Sequence, residues 1–331
     1  MSQLSAKYIW RLDSQEFVNL LDSGVFMQQG SGIRFYAPSF AYYKSGFFCS
    51  SPNVFPTISV TGSGCALNCK HCGGKVLSGM RSVFTSDDLF SVCSELKRYG
   101  AVGCLISGGC LSDGSVPLKP FVAAITRVKR ELGLTVFVHT GILDLETAVL
   151  LKQSAVDAVL IDVIGSQEII DKVYRLNVTV RDYAKSLGVL QKVGLPFVPH
   201  VIVGLNEGKL GGEYRALQMI SKTNPSAVVI IAFMPLRGTE MAYVKPPQPY
   251  DIVRVVALAR VMFPKIPLVL GCMRPKGKSR IVIDVLALKA GVNAIVFPSQ
   301  QAVDFAKMQG WSVSFSSCCC AKIFTDFAMF K

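Results

Sequence analysis

Acidic residues are scarce in this chain. Only 22 of its 331 residues are Asp or Glu, against 35 Lys and Arg, for a net charge of +13 at neutral pH. Charged residues make up 17% and hydrophobic ones 50%, which excludes a long self-repelling disordered polypeptide and allows a large buried core. Long hydrophobic runs are also lacking. Stretches such as 227–234 are too short to cross a bilayer, and polar residues bound each of them. No basic-then-apolar leader opens the chain: residues 1–8 are mostly polar, and 12–21 mix polar, charged and apolar types. A soluble, cytoplasmic protein with no membrane association is expected. Lys/Arg blocks longer than two or three residues are missing, as is any aromatic-rich RNA-binding signature. The positive charge therefore points to an acidic protein partner or anionic small molecules rather than nucleic acid.

Two separated CxxC pairs, the usual zinc pattern, are absent as well. In their place stands "TGSGCALNCKHCGGK" (61–75), with Cys65, Cys69 and Cys72 inside eight positions after a strand-like run. In a reducing compartment, clustered cysteines indicate metal or redox chemistry rather than disulfides. Three thiolates spaced Cys-x3-Cys-x2-Cys suit three irons of a [4Fe–4S] cubane and leave the fourth iron open. Three buried thiols, or zinc with a distant fourth ligand, are the alternatives.

From residue 57 onward, strand-like runs (57–61, 102–107, 135–139, 158–162, 197–203, 227–232, 267–270, 294–297) alternate with helical patterns (86–99, 119–132, 145–152, 180–193, 212–223, 250–262, 279–290, 300–308). Eight β-then-α units with strands apolar on both faces predict an α/β fold. It is a (βα)8 TIM-type barrel or a partial barrel of parallel strands, with its chemistry in the loops after the strands. Residues 1–56, with a helix at 13–22, are expected to cap a barrel at 57–310. Residues 311–331 form a cysteine-rich C-terminal segment.

Cys65-x3-Cys69-x2-Cys72 in the first βα loop resembles the signature of the radical S-adenosylmethionine (SAM) superfamily. The resemblance implies that these three cysteines hold a [4Fe–4S] cluster whose open iron chelates SAM. An electron from the cluster then cleaves SAM to methionine and a 5′-deoxyadenosyl radical. His71 fills the superfamily's aromatic position near the adenine, or is a solvated loop histidine. Gly108 and Gly109 match its glycine motif, whose backbone meets the SAM amino group, or mark a plain turn. "HVIVGLNE" (200–207) resembles the GxIxGxxE pattern, with Ile202, Gly204 and Glu207 in register and His200 in place of the first glycine. Arg175 could bind the SAM carboxylate or lie on a helix surface. Asp162 could reach a ribose hydroxyl or cap a helix, and His139 of the "HTG" loop is a further cofactor-binding candidate on the same rim.

"SFSSCCCAK" (314–322) carries the remaining signal. In a strand, Cys318 and Cys320 would share a face; in a loop, all three cysteines could converge. With Cys272 of "GCMRP", they are the candidate ligands of a second cluster, the C-terminal segment folding back over the barrel mouth; a flexible, oxidised or zinc-binding tail is the alternative. Cys110 follows the two glycines on the rim. Cys93 and Cys104 read as core, and Cys49 is unassigned. The "VHTG", "GCMRP" and "GTEM" stretches and the serine-cysteine run most resemble the biotin synthase-like proteins that act as two-component, archaeal-type lipoyl synthases. That resemblance implies sulfur insertion into an octanoyl-lysine of an acidic lipoyl carrier, such as an H protein or acyltransferase domain. An electron donor and a homologous partner chain would accompany it. The CxxxxCxxxxxC motif of single-chain lipoyl synthases is missing. Methylornithine synthase-like, maturase-like and tRNA-modifying radical enzymes are the other readings, and an iron–sulfur carrier or scaffold is the non-enzymatic one.

Overall fold

The computed structural model describes residues 4–27 and 32–327; the extreme ends of the expected N-terminal cap and C-terminal segment lie outside them. Eleven strands form a single sheet: β1 (Gly32–Tyr36), β2 (Thr57–Ser59), β3 (Arg81–Ser82), β4 (Gly103–Ser107), β5 (Thr135–His139), β6 (Ala158–Asp162), β7 (Phe197–Val203), β8 (Val228–Ala232), β9 (Leu268–Leu270), β10 (Ala294–Val296) and β11 (Ser312–Ser316). Their order is β11-β1-β10-β9-β8-β7-β6-β5-β4-β2-β3. Every pairing is parallel. No pairing joins β3 to β11, so the sheet is an open, partial barrel. All eight strands expected from the sequence are present, and Val-Ile-Leu runs such as Val228–Ala232 are buried on both faces as parallel packing requires.

The helices on its outer side follow from local chemistry. Ser86–Arg98 starts at Thr85, whose side chain accepts from the Asp88 amide while Asp88 answers in a capping box. Leu89, Cys93 and Leu96 give the helix one buried stripe. Gly100, at φ +87°, then turns the chain back into β4. The expected continuous helix at 119–132 instead divides into a tight turn at Lys119–Phe121, an α-helix at Val122–Arg127 and a wider π turn at Val128–Leu132. Among the described residues, no helix is long and apolar enough to cross a membrane.

Residues 1–56 do more than cover the barrel. β1 runs inside the sheet between β10 and β11, after short helices at Ala6–Arg11 and Ser14–Asp22. The buried Arg254 guanidinium ties those helices down by donating to the carbonyls of Ile9 (2.9 Å) and Leu12 (2.7 Å). The C-terminal segment continues past the edge strand β11 into a turn at Cys320–Lys322 and a short helix at Ile323–Asp326. Asp326 anchors it: this carboxylate accepts from Tyr36 Oη at 2.8 Å and pairs with Lys322 at 2.5 Å.

Candidate active site

Strand alternation aims every second side chain into the barrel. Leu105 and Ser107 of β4, His139 of β5, Leu160 and Asp162 of β6, and His200 and Ile202 of β7 therefore line one cavity of about 460 Å³, a volume suited to a small-molecule ligand. Cys65, Cys69 and Cys72 reach it from the loop after β2. Cys272 reaches it from the loop after β9, and Cys319 and Cys320 from the C-terminal turn. Five strands separate β2 from β9 in the sheet, so the two sets of thiols come from well-separated parts of the barrel to one chamber.

The first cysteine loop is built by close backbone approach. Gly109 N–H donates to Thr61 Oγ1 at 2.7 Å, Thr61 Oγ1 donates to Gly64 O at 2.9 Å, and Ala66 N–H donates to Cys110 O at 2.8 Å. The ligand atoms of Cys69, His71 and Cys72 all lie within 4.8 Å of one another. Cys72 is held down to about 4 by the thiol of Cys69, against the opposing effect of burial, with His71 and the Gly74 amide assisting. The same pairing, with burial, pushes Cys69 well up. The two thiols are thus electrostatically linked, and a thiolate is the form in which either binds metal. Cys110 stands beside them, pushed up to about 12 by burial, with Cys65 and Asp162 adding to it.

The second set repeats this arrangement. Cys319 is lowered by the thiol of Cys320 against the effect of burial, and Cys320 is raised well above its usual range by the same contact. Because β11 ends at Ser316, the strand alternation that would pair Cys318 with Cys320 does not apply. Consecutive Cys319 and Cys320 face the cavity, while Cys318 is not among its lining residues. The Cys272 loop is fastened by Arg274, whose guanidinium is completely buried. It pairs with the equally buried Asp284 at 2.7 Å and donates to Gly271 O at 2.7 Å and Phe297 O at 3.2 Å.

Between the two sets lie three polar side chains. His139 Nε2 is 3.6 Å from Asp162 Oδ1, and the His139 and His200 rings are 6.1 Å apart. Burial works against a charge on His139, but Asp162 outweighs it and raises the imidazole. Burial dominates at His200 and lowers it to about 4. Its Nδ1 lies 3.0 Å from Val198 O; in the neutral tautomer that donates there, Nε2 is the acceptor.

The sequence-derived candidates divide cleanly. His71, Gly108, Gly109, His139, Asp162 and Ile202 line the cavity with the cysteines. Arg175 does not: it sits at φ +55° and pairs with Glu240 at 2.5 Å, both half exposed. Its neighbour Tyr174 is the residue that turns inward, with its ring 5.0 Å from that of His71. Glu207 is exposed, and the backbone there is held by Glu213, which accepts from Gly204 N at 2.9 Å and Gly211 N at 2.6 Å. Neither Tyr174 nor Glu213 stands out by spacing. The sequence cue for the latter is its position directly after the Gly211–Gly212 pair.

Two atoms in this chamber await a partner. His71 Nδ1 and Tyr174 Oη are buried without a hydrogen bond, a cost that a bound polar ligand removes. Three convergent cysteines and unpaired polar atoms beside an apolar wall fit a [4Fe–4S] cluster with SAM.

Residues 59–209 match the model of the Radical SAM superfamily. The Biotin synthase of Neorickettsia sennetsu is 27% identical over 251 residues, covering 72% of this chain and 74% of that one. The Biotin synthase of Rickettsia felis is 25% identical over 260 residues, covering 77% and 83%. The crystal structure of methylornithine synthase (PylB) superposes with a TM-score of 0.64 at 17% identity, over 99% of this chain and 97% of that one. HydG, a maturase of the [FeFe]-hydrogenase, superposes with a TM-score of 0.62 at 15% identity, over 98% and 75%. At such identities these structures establish a shared fold.

Proposed function

We propose that this chain, which has biotin synthases among its relatives, is a radical SAM enzyme that inserts sulfur into an unactivated C–H bond of an octanoyl chain carried on a protein lysine. The observation that carries the reading is the single cavity lined by both Cys65, Cys69 and Cys72 and Cys272, Cys319 and Cys320. When bound, a [4Fe–4S] cluster with SAM supplies reductive SAM cleavage and hydrogen abstraction, and a second cluster supplies the sulfur.

The residues of this chain provide the setting. Cys65, Cys69 and Cys72 would hold the cluster and leave it open to SAM. Leu105, Leu160, Ile202, Ile231 and Phe233 give the cavity a wall that accommodates an aliphatic chain and excludes water from it. Arg274 and Asp326 fix the two segments that carry Cys272 and the Cys319–Cys320 pair. The net charge of +13 favours encounter with an acidic carrier domain. A homologous partner chain acting beside this one is compatible with the same reading.

Reconstituted protein incubated with SAM, a reductant and an octanoyl-lysine peptide tests it. The expected products are 5′-deoxyadenosine and a thiolated octanoyl peptide, with or without a homologous partner chain added. Replacing Cys65, Cys69 or Cys72 by Ala should abolish both. Deoxyadenosine without any thiolated product would remove sulfur insertion and retain the radical chemistry.

A further inference from the structure

We infer that the rim of the chamber docks an acidic face of the protein domain that carries the substrate chain. The rim is an apolar collar of Phe40, Val76 and Gly79, flanked by Lys75 and Arg237. This rests on the proposed protein-bound substrate and names where its carrier binds. Of the residues that line the chamber, only the three collar residues are exposed, so they mark its opening. Phe40 is 46% and Val76 50% exposed, and none of the three has a side chain that forms hydrogen bonds.

The opening is pre-formed. Phe40 meets Phe297 edge-on, with ring centroids 5.5 Å apart, and Tyr43 Oη donates to Pro298 O at 3.0 Å. These contacts fasten the segment before β2 to the loop after β10. On the other side, the loops after β2 and β8 meet although four strands separate those two in the sheet. A β-carbon built on Gly238 would fall 3.0 Å from Lys75 Nζ, so the ammonium group lies against the opposite loop. A rim held in this way docks a partner without first being ordered, which removes part of the entropic cost of association.

Charge identifies the occupant. Residues 23–86, which supply the whole collar, contain no Asp or Glu, while Arg34, Lys44, Lys70, Lys75 and Arg81 all fall among them. Lys75 and Arg237 are exposed, and neither pairs with a carboxylate among the described residues. Glu240, the acid nearest to Arg237 in sequence, is engaged by Arg175. Unpaired cations around an apolar opening fit a partner whose carboxylates surround an aliphatic arm. The carboxylates steer and orient the carrier, and the arm passes through the collar into the apolar chamber.

An acidic, octanoylated H protein labelled for fluorescence anisotropy is the probe, with the reconstituted chain kept free of SAM so that binding is read without turnover. Lys75→Glu with Arg237→Glu should weaken binding about tenfold or more, at unchanged iron content. Lys192→Glu with Lys222→Glu makes the same change in net charge at the opposite end of the barrel, just before β7 and β8 begin. That pair should leave binding within about twofold. Binding by the unaltered chain should also fall as salt is raised toward about 1 M, where the screening length is about 3 Å. Thiolation of a short octanoyl-lysine peptide should be the same in the rim variant and the unaltered enzyme, since the peptide has no carrier face. No binding of the H protein by the unaltered chain, with or without binding of RNA in its place, would overturn the surface. So would undiminished binding by the rim variant, equal losses in the two variants, or loss of peptide thiolation in the rim variant. Failure of the unaltered enzyme to thiolate the peptide would overturn the sulfur-insertion reading instead, and the binding measurement would still decide the surface.

Discussion

Gly109 lies directly against Cys65: a β-carbon built on Gly109 would fall 2.6 Å from the Cys65 Cα and 1.9 Å from the Gly64 carbonyl oxygen. Its role is thus partly internal to the protein. Its amide donates to Thr61, and the missing side chain lets the second βα loop pack on the cysteine loop.

Gly109→Ala should therefore damage cluster loading before it affects substrate binding. The obstacle is backbone on both contacts and cannot rotate aside, so a loss of about 1–3 kcal/mol or more in stability is expected. Iron bound per chain after reconstitution should fall well below that of the unaltered protein. Gly108→Ala meets its nearest atoms only at 3.1 Å and should retain most of its iron. Equal loading of the two variants would show that the contact does not shape the site.

The Arg274–Asp284 pair predicts a larger effect on folding. Both side chains are fully buried, and Asp284 Oδ2 also accepts from the Ser299 amide at 2.7 Å. Arg274→Ala strands a buried carboxylate and should cost about 3–5 kcal/mol, while replacing both residues by apolar ones of similar volume should cost much less. Urea denaturation of the two single variants and the double variant measures this coupling directly.

Much of this architecture was legible in the sequence because its signals are periodic or chemical. Most of the eight strands expected from 57 onward are largely buried runs rich in Val, Ile and Leu, and three cysteines in eight positions have few other uses. The strands that escaped notice lack such signals. β3 is two exposed residues, and β11 alternates serine with apolar residues at a sheet edge. β1 interrupts its apolar pattern with Arg34, whose charge meets Asp326 from the far end of the chain at 3.5 Å. The inward turn of Tyr174, with Arg175 facing out, depends on a backbone at φ +55° that no pattern of residues announces.

His200 and His139 should make the pH dependence of stability two-sided. Burial lowers His200 to about 4, against about 6.5 in an unfolded chain. Between those values the unfolded chain takes up a proton that the folded one refuses. This contribution is present above pH 6.5 and is lost as the pH falls toward 4, by about 3 kcal/mol at most. His139 is raised by Asp162, so its contribution has the opposite sign: present below pH 6.5 and lost as the pH rises through its folded value. His200→Phe should flatten the acid side of the profile and leave the alkaline side unchanged. Denaturation at pH 7 and pH 5 would reveal this, and an unchanged acid slope would count against a buried neutral His200.

Tyr174 and Arg175 are adjacent, yet they should respond in opposite ways. The Tyr174 hydroxyl is buried and unpartnered, so the protein without ligand carries the cost of desolvating it. Tyr174→Phe should raise stability by about 1 kcal/mol. If SAM supplies the missing partner, the same change should weaken SAM binding about tenfold, a combination that simple loss of packing cannot produce. Arg175 makes an exposed ion pair with Glu240, worth about 0–1 kcal/mol. Arg175→Ala should leave SAM affinity within about twofold, since the energy of that pair is spent outside the cavity. Equilibrium dialysis with SAM and thermal unfolding of both variants decide between the residues. Weaker binding in Arg175→Ala, with no change in Tyr174→Phe, would return the carboxylate-binding role to the arginine and require its side chain to leave Glu240 when SAM binds.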